Sequence, residues 1–198
     1  MSKYDHLIYQ FKKEENTHWG DFMPQYQAYF RGDTCMPEAK FYTQYRPYMT
    51  EAFIDREPNF HAEEEYLSFI GYDMSDPFGS FDAEMEFWIG KDIDNMEKHV
   101  ITEPTMIRIP AFTWHCPLIF KKVNKPVYLE TMLTKGRFGV FFRRFDENGN
   151  PYYTTGAVGF RACVYDLDKQ CNLCGRCYKD LAILEDAPWK KPGLTYNY

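Results

Sequence analysis

The sequence contains no long hydrophobic run and no excess of basic charge. No uninterrupted apolar stretch in its 198 residues approaches the ~20 residues that are needed to span a bilayer. The opening residues, MSKYDHLIYQFKKEEN, have no apolar core of the signal-peptide type. We therefore expect a soluble, cytoplasmic protein without a membrane partner. The net charge of −6 offers no basic patch, which argues against nucleic acid as a partner.

Aromatic residues are abundant and occur in short runs that predict strands. The chain has 17 Phe, 16 Tyr and 4 Trp, a composition that favours strand-rich structure and argues against disorder. Turn clusters such as GYDMSDPFGS and KKVNKP separate the runs, a spacing typical of an antiparallel sandwich or barrel. The most regular runs are EYLSFIG, AEMEFWIG, TMIRIP, CPLIF and PVYLETML.

The chain also lacks short-period repeats, low-complexity segments and Gly/Ser linkers, so we expect the tail to pack on the main body. The segment KFYTQYRPYMTEAF suits one or two strands, and the turn ENGNP between aromatic runs predicts a later hairpin. Four parts follow from these patterns: N-terminal strands that pack on or complete the barrel (1–55), the barrel core (56–135), a hairpin extension (136–160) and a cysteine-rich tail (161–198).

Two stretches carry histidines and a carboxylate in a pattern typical of metal sites. In NFHAEEEYLSFIG, residues 59–71, three residues separate His61 from Glu65. Residues at an even separation on one strand point to the same face, so we expect both side chains in one interior. IPAFTWHCPLIF, residues 109–120, places His115 at the mouth of another strand. Two His and one carboxylate suit a first-row transition metal with open positions for water or substrate.

A purely structural interpretation stays open at this point. His61 would then be a histidine at a strand edge, Glu63 to Glu65 a solvated acidic face, and His115 a turn residue. The other histidines are scattered along the chain and are expected at the surface or in structural roles. Cys116 directly follows His115, and strand alternation predicts that it points away from the ion and into the core.

At these positions the sequence resembles the cupin superfamily. The first cupin motif is His-x-His-x3–4-Glu-x6-Gly. The sequence matches it with Asn59 in place of the first histidine and with five residues, not six, between Glu65 and Gly71. The second motif, Pro-x-Gly-x-x-His, matches PAFTWH with Phe112 at the glycine position. AEMEFWIG and IPAFTWHCPLIFKKVNKPV are also similar to a bacterial cupin subgroup. The resemblance covers residues 55–133, or two fifths of the chain.

The resemblance implies an all-β fold, a double-stranded β-helix or jelly-roll barrel, with a divalent transition metal near one end. Fe, Mn, Ni or Zn would be held by His61, Glu65 and His115. Asn59 could add its amide oxygen, leave a wider opening for substrate, or mark a site that has decayed. No reaction is implied, because cupins include oxygenases, isomerases, lyases and ligand-sensing domains. Pairing through the N-terminal strands would give a homodimer.

The tail contains a second pattern typical of metal sites. Its cysteines follow the spacing C-x7-C-x2-C-x2-C, and four thiolates can close a tetrahedral structural zinc site. The run C-x2-C-x2-C is also similar to the cluster-binding loop of bacterial ferredoxins, although the following Cys-Pro is absent. The sequence thus predicts either zinc or an iron–sulfur cluster. A redox-active dithiol and reduced, packed thiols are the alternatives. The four candidate ligands are Cys163, Cys171, Cys174 and Cys177.

Two further glutamates are weaker catalytic candidates. Glu86 shares a strand face with Trp88, and Glu130 shares one with Tyr128. Either carboxylate, if it faced inward, would suit proton transfer beside an ion.

Three hypotheses for function follow from the sequence. The first is a metal-dependent enzyme that acts on a small organic molecule, with oxygenase, isomerase and lyase chemistry all open. The second is a non-catalytic module that binds a small ligand or senses metal. The third is a redox or electron-transfer role of the cysteine-rich tail.

Overall fold

Strands dominate the molecule, as the aromatic runs predict. The computed structural model describes residues 3–12, 14–15, 26–36, 39–54, 58–135, 139–145, 148 and 151–157. One helix, α1 (Gly32–Cys35), and two 3-10 turns at Asp5–Leu7 and Ile93–Asn95 accompany the strands. The strands are β1 (Glu14–Glu15), β2 (Tyr26–Arg31), β3 (Tyr42–Tyr48), β4 (Ala52–Ile54), β5 (Asn59–Phe60), β6 (Glu65–Gly71), β7 (Ala83–Gly90), β8 (Glu97–Ile101), β9 (Thr105–Ile109), β10 (Trp114–Val123), β11 (Val127–Leu133), β12 (Gly139–Phe145) and β13 (Pro151–Ala157).

The strands form two antiparallel sheets, which confirms the predicted all-β architecture. The first sheet has six strands in the order β1-β2-β3-β11-β6-β9. The second has the order β13-β12-β5-β10-β7-β8, and β4 pairs with β10 as its seventh strand. Neighbours within a sheet are mostly far apart in sequence, so each sheet is assembled from distant parts of the chain. No helix in the described ranges has both the length and the apolar character needed to cross a membrane.

Period-2 alternation explains why these residues form strands with one face inward. In β6 the burial alternates along the whole strand, with Leu67 and Phe69 inside. In β7 the buried residues are Met85 and Phe87. Alternating apolar residues bury one face of a strand while the other face meets solvent, which is the expected behaviour of a two-sheet fold.

The hydrophobic core lies between the two sheets. Residues of the first sheet such as Phe69 and Leu129 pack in one cluster with Phe87, Leu118 and Phe120 of the second. Tyr48 of β3 stacks on Phe120 of β10 with ring centroids 4.3 Å apart. This contact joins the two sheets directly.

The glycine of the first motif is required by close packing. An added Cβ at Gly71 would lie 2.1 Å from the Oγ of Ser80 and 2.7 Å from the backbone nitrogen of Phe81. The hairpin loop that follows β6 folds back on this residue, since the Gly71 N–H donates to the Pro77 carbonyl at 2.8 Å. A larger residue would therefore displace the loop.

The turn before β10 has a glycine-like backbone at the position where the second motif has a glycine. Phe112, which stands at the motif's glycine position, has φ 61°, in the left-handed region where glycine is favoured. The Thr113 N–H donates to the Pro110 carbonyl, and the Phe112 N–H donates to the His61 carbonyl at 2.8 Å. A non-glycine residue here costs roughly 1–2 kcal/mol. The turn nevertheless ties the start of β10 to His61.

Candidate metal centre

His61, Glu65 and His115 converge at one end of the barrel. His61 directly follows β5, Glu65 is the first residue of β6, and His115 is the second residue of β10. The Nε2 atom of His61 lies 3.3 Å from Glu65 Oε2, and the Nε2 atom of His115 lies 3.2 Å from the same oxygen. The side chains are 3–4% exposed. Distant parts of the sequence therefore form one buried three-residue cluster.

The prediction that His61 and Glu65 project from the same face of one strand is wrong. The two residues do not share a strand, because β5 ends at Phe60 and the chain bends before β6 begins at Glu65. The bend carries the chain from the second sheet into the first. His61 and Glu65 therefore meet across the barrel interior, not along one strand face.

Backbone carbonyls fix the orientation of both imidazole rings. The Nδ1 atom of His61 lies 2.5 Å from the Gly139 carbonyl oxygen, and that of His115 lies 3.0 Å from the Thr113 carbonyl oxygen. These acceptors assign a proton to Nδ1 on each ring, which leaves Nε2 to face Glu65. The ring centroids are 4.9 Å apart. Both histidines are thus held in the tautomer that a metal ligand needs.

The donor atoms fit a divalent cation. The three ligand atoms lie within 4.8 Å of one another. In the neutral tautomer described above, two nitrogen lone pairs face Glu65 Oε2, and this oxygen gains a hydrogen-bond donor only when His61 carries a second proton. A buried carboxylate requires a positive partner, and two imidazoles beside it complete a donor set that suits first-row transition metals. These residues are therefore close enough, and of the right chemistry, to hold a metal ion.

The same contacts shift the pKa values of the cluster in the metal-free state. Burial opposes the charged form of His61, but the Glu65 carboxylate and the Gly139 carbonyl outweigh it and raise its pKa from 6.5 to about 9. Burial likewise opposes ionisation of Glu65, but His61 and His115 outweigh it and lower its pKa. Without metal, a proton on His61 offsets the charge of Glu65.

Metal binding is expected to release a proton from His61 at neutral pH. Because the folded pKa of about 9 exceeds the ordinary value of 6.5, His61 is protonated at pH 7 and the ion must displace that proton. The apparent affinity should rise about tenfold per pH unit towards pH 9 and then level off. Calorimetric titrations with metal, run at pH 7 in two buffers of different ionisation enthalpy, count the released protons.

The stability of the metal-free protein should show the opposite trend with pH. A raised folded pKa contributes stability that is fully present below the unfolded value of 6.5 and is lost as the pH rises through about 9. Urea unfolding of chelator-treated protein between these limits measures that loss. Binding without proton release at pH 7, or a metal-free stability that rises with pH, would contradict the assignment.

The neighbouring glutamates have other partners. Glu63 is buried, and its Oε1 lies 2.7 Å from the Nζ of Lys135. Glu64 accepts from the Arg108 guanidinium and from the Tyr66 hydroxyl. The acidic run is therefore not one solvated face, and Glu65 is the member that the fold brings to the histidines.

Asn59 lies beside the cluster. It is fully buried and is the direct register partner of His115 across the β5–β10 pair. Directly opposed residues of an antiparallel pair project from the same face of the sheet. The residue that replaces the first motif histidine therefore keeps the position expected for that histidine.

The two weaker catalytic candidates do not face the centre. Glu86 alternates with the buried Met85 and Phe87, and its carboxylate pairs with Lys98 at 3.2 Å on the outer face. Glu130 is likewise on the outer side of β11, where Thr43 Oγ1 donates to it at 3.0 Å. Strand alternation correctly grouped the residues by face, but it does not say which face is buried.

The remaining predicted residues divide between core and tail. Cys116 is buried in the hydrophobic cluster, as predicted. The four tail cysteines, Cys163, Cys171, Cys174 and Cys177, lie outside the described residues, and zinc or an iron–sulfur cluster there stays a prediction.

Sequence reasoning missed the groups that orient the histidines. The carbonyls of Gly139 and Thr113 and the N–H of Phe112 are backbone groups, which leave no signal in residue type. It also missed Arg46, which is buried inside the first sheet. Alternation along YTQYRPY would have shown that Arg46 shares a face with Gln44 and Tyr48.

Two facing antiparallel sheets, with the histidines and the glutamate of both motifs at one end of the barrel, are the arrangement that the resemblance implies. This two-sheet, all-β arrangement agrees with the barrel that the resemblance to cupins implies. No protein-family model matches the sequence. No curated protein matches it either.

A search of solved structures finds similar chains at very low sequence identity. A recombinant oxalate oxidase in complex with glycolate is 11% identical, with a TM-score of 0.47 over 70% of this chain and 64% of that one. Oxalate decarboxylase from Bacillus subtilis, which has Mn(II) centres, is 10% identical, with a TM-score of 0.46 over 66% and 31%. Peruvianin-I, a cysteine peptidase from Thevetia peruviana latex, is 7% identical, with a TM-score of 0.48 over 69% and 76%.

The coverage of these structures is partial. The chain spans less than two thirds of the oxalate oxidase and about a third of the oxalate decarboxylase. At these identities the likeness concerns the fold alone.

Proposed function

We propose that this protein is a metal-dependent enzyme that acts on a small organic molecule through a divalent metal held by His61, Glu65 and His115. The observation that carries the proposal is the convergence of two imidazole Nε2 atoms on one buried carboxylate oxygen, Glu65 Oε2, at 3.2 and 3.3 Å. Fe, Mn, Ni and Zn are all compatible with this donor set.

Each part of the site has a role in this proposal. A bound divalent metal supplies Lewis-acid chemistry, and with Fe(II) a two-His, one-carboxylate set is also suited to oxygen activation. Glu65 contributes the negative charge, while the carbonyls of Gly139 and Thr113 hold the two imidazoles in place. Three protein ligands leave positions open for a substrate. The apolar core behind the ligands limits access of water.

A non-catalytic module that binds a small ligand or senses metal is the second candidate. Asn59 favours it, because an amide stands where the first motif has a histidine. An amide is a weaker donor than imidazole for a transition metal, so the ion would be bound less tightly and exchange more readily.

Titration of chelator-treated protein with Mn(II) tests the proposal. The signal of free Mn(II) in electron paramagnetic resonance should fall until one equivalent per chain is bound at the barrel. Mn(II) is chosen because thiolates are poor ligands for it, so the tail cysteines should not contribute. Absence of saturable binding would contradict both candidates. Saturable binding followed by no turnover of any small organic acid, alcohol or ketone would favour the second.

A further inference from the structure

A group of buried polar side chains lines the barrel beside the metal centre. These residues, called the polar wall below, project from the inner face of the first sheet, where most other buried residues are apolar. Arg46 is only 6% exposed and Thr131 only 1%. The polar wall consists of Tyr29, Tyr42, Gln44, Arg46 and Thr131.

Strand register places the polar wall next to the glutamate of the metal centre. Leu133 of β11 is directly opposite Glu65 of β6, and Thr131 is directly opposite Leu67. Thr131 is therefore the diagonal neighbour of Glu65 on the same inner face, and diagonal neighbours lie roughly 7–8 Å apart. Gln44 of β3 is opposite Thr131 on its other side. The wall begins one diagonal step from the centre.

Arg46 is oriented towards the metal end of the barrel. It lies on the row of Leu129, farther from the centre, but its Nη2 atom donates to Thr131 Oγ1 at 2.9 Å. Its guanidinium carbon also lies 5.8 Å from the centre of the Tyr48 ring. The hydrogen bond draws the charged end of the side chain back to the row nearest Glu65. The positively charged guanidinium of Arg46 is thus held at a fixed position in the interior.

The rest of the polar wall is connected by hydrogen bonds. The Tyr42 hydroxyl donates to Gln44 Oε1 at 3.2 Å, and Gln44 Nε2 donates to the Tyr29 hydroxyl at 2.5 Å. Burial raises the pKa of Tyr29, and the positive charge of Arg46 acts in the opposite direction. Arg46 is therefore close enough for its field to be felt across the wall. These contacts pre-orient the wall before any ligand arrives.

We propose that Arg46 and the polar wall bind the carboxylate of a small organic acid whose second oxygen group faces the metal centre. A guanidinium keeps its charge when buried and offers paired N–H donors that match a carboxylate. The separation of one diagonal step suits an acid of a few carbon atoms that carries a hydroxyl, carbonyl or second carboxylate. The inference rests on the proposed function, because the second oxygen group is assigned to the metal.

Matched pairs of acids and amides test the proposal in the full-length protein. Lactate with lactamide, and malonate with malonamide, keep the shape of the ligand and remove the charge. Calorimetric titration of Mn(II)-loaded protein should show at least about tenfold tighter binding of the acid in one pair. Arg46→Met should remove that preference, a loss of about 10- to 100-fold for the acid with the amide unchanged. Arg46→Lys should keep part of it.

Two controls separate recognition from folding. Arg108→Met removes an exposed arginine that pairs with Glu64, and it should leave the acid preference unchanged. Thr131→Val removes only the hydroxyl that positions Arg46, and it should reduce the acid preference severalfold. This variant tests the proposal even if Arg46→Met does not fold. Thermal unfolding identifies any variant that does not fold.

The outcomes distinguish the two proposals. If the wild type binds Mn(II) but prefers no acid over its amide, or if folded Arg46→Met and Thr131→Val keep the preference, the inference is wrong and the proposed function stands. If the protein binds no Mn(II) but still prefers acids in an Arg46-dependent way, the anion site stands and the metal-dependent function fails. If Arg46 has a purely structural role, its folded variants should be less stable than the wild type and should keep the same acid preference.

Discussion

The His61→Ala, His115→Ala double variant is expected to lose one equivalent of metal per chain relative to the wild type. Both Nε2 atoms face the same carboxylate oxygen, so their removal leaves Glu65 as the sole remaining ligand of the three. Loss of an outer partner of a metal ligand already costs about 10- to 100-fold in affinity, and loss of two ligands should exceed that. Elemental analysis of proteins prepared in parallel measures the difference.

A matched histidine variant provides the control for this experiment. His99 is on β8, and its side chain is 54% exposed. Its Nε2 atom lies 3.9 Å from Glu97 Oε2, on the protein surface. His99→Ala should therefore keep the full metal content. Because the comparison is a difference between proteins with the same cysteines, metal bound by the tail cancels. If the double variant contains as much metal per chain as the wild type, the proposed function loses its basis.

The Phe60→Ala variant is expected to lose both stability and metal affinity. Phe60 is fully buried, lies edge-on to Trp114 at 4.7 Å and stacks on Phe141 at 5.1 Å. It thus packs β5 against β10 and β12, the strands that place His61, His115 and the Gly139 carbonyl. Truncation should cost about 3–5 kcal/mol in the free energy of unfolding. Movement of His61 should lower metal affinity about 10- to 100-fold.

Phe120→Ala separates the two effects. Phe120 is 1% exposed and stacks on Tyr48, but it lies farther along β10 than His115. Its truncation should cost a similar free energy of unfolding while metal affinity stays within about twofold of the wild type. Urea unfolding of metal-free proteins gives the stabilities, because bound metal would otherwise add to them. Equal losses of affinity in both variants would show that Phe60 acts only through global stability.

The strands could be predicted from the sequence because period-2 alternation is a local property. EYLSFIG and AEMEFWIG correspond to β6 and β7 residue for residue. Sheet order could not be read this way, because β11 pairs with β3 and β6 across long separations in the chain. Which face of β7 and β11 is inside was also open, and this is why Glu86 and Glu130 were candidates at all.

The histidines and the glutamate could be predicted from motif positions, but the geometric reason could not. An even separation between His61 and Glu65 suggested one strand face, whereas a bend places the two residues in different sheets. Phe112 is more instructive. A phenylalanine at the glycine position suggested a departure from the motif, yet its φ of 61° keeps the glycine-like backbone. The turn's shape is retained, and the side chain packs 6.1 Å from Phe60.

Glu65 belongs to the first sheet, whereas His61 and His115 belong to the segments that build the second. A cation shared among them would cross-link the two layers at the ligand end of the barrel, as the Tyr48–Phe120 stack joins them farther along. Only the first of these two joints can be removed by a chelator. Amide hydrogen exchange at the start of β6 and β10 should therefore be slower in the metal-bound protein than after treatment with a chelator.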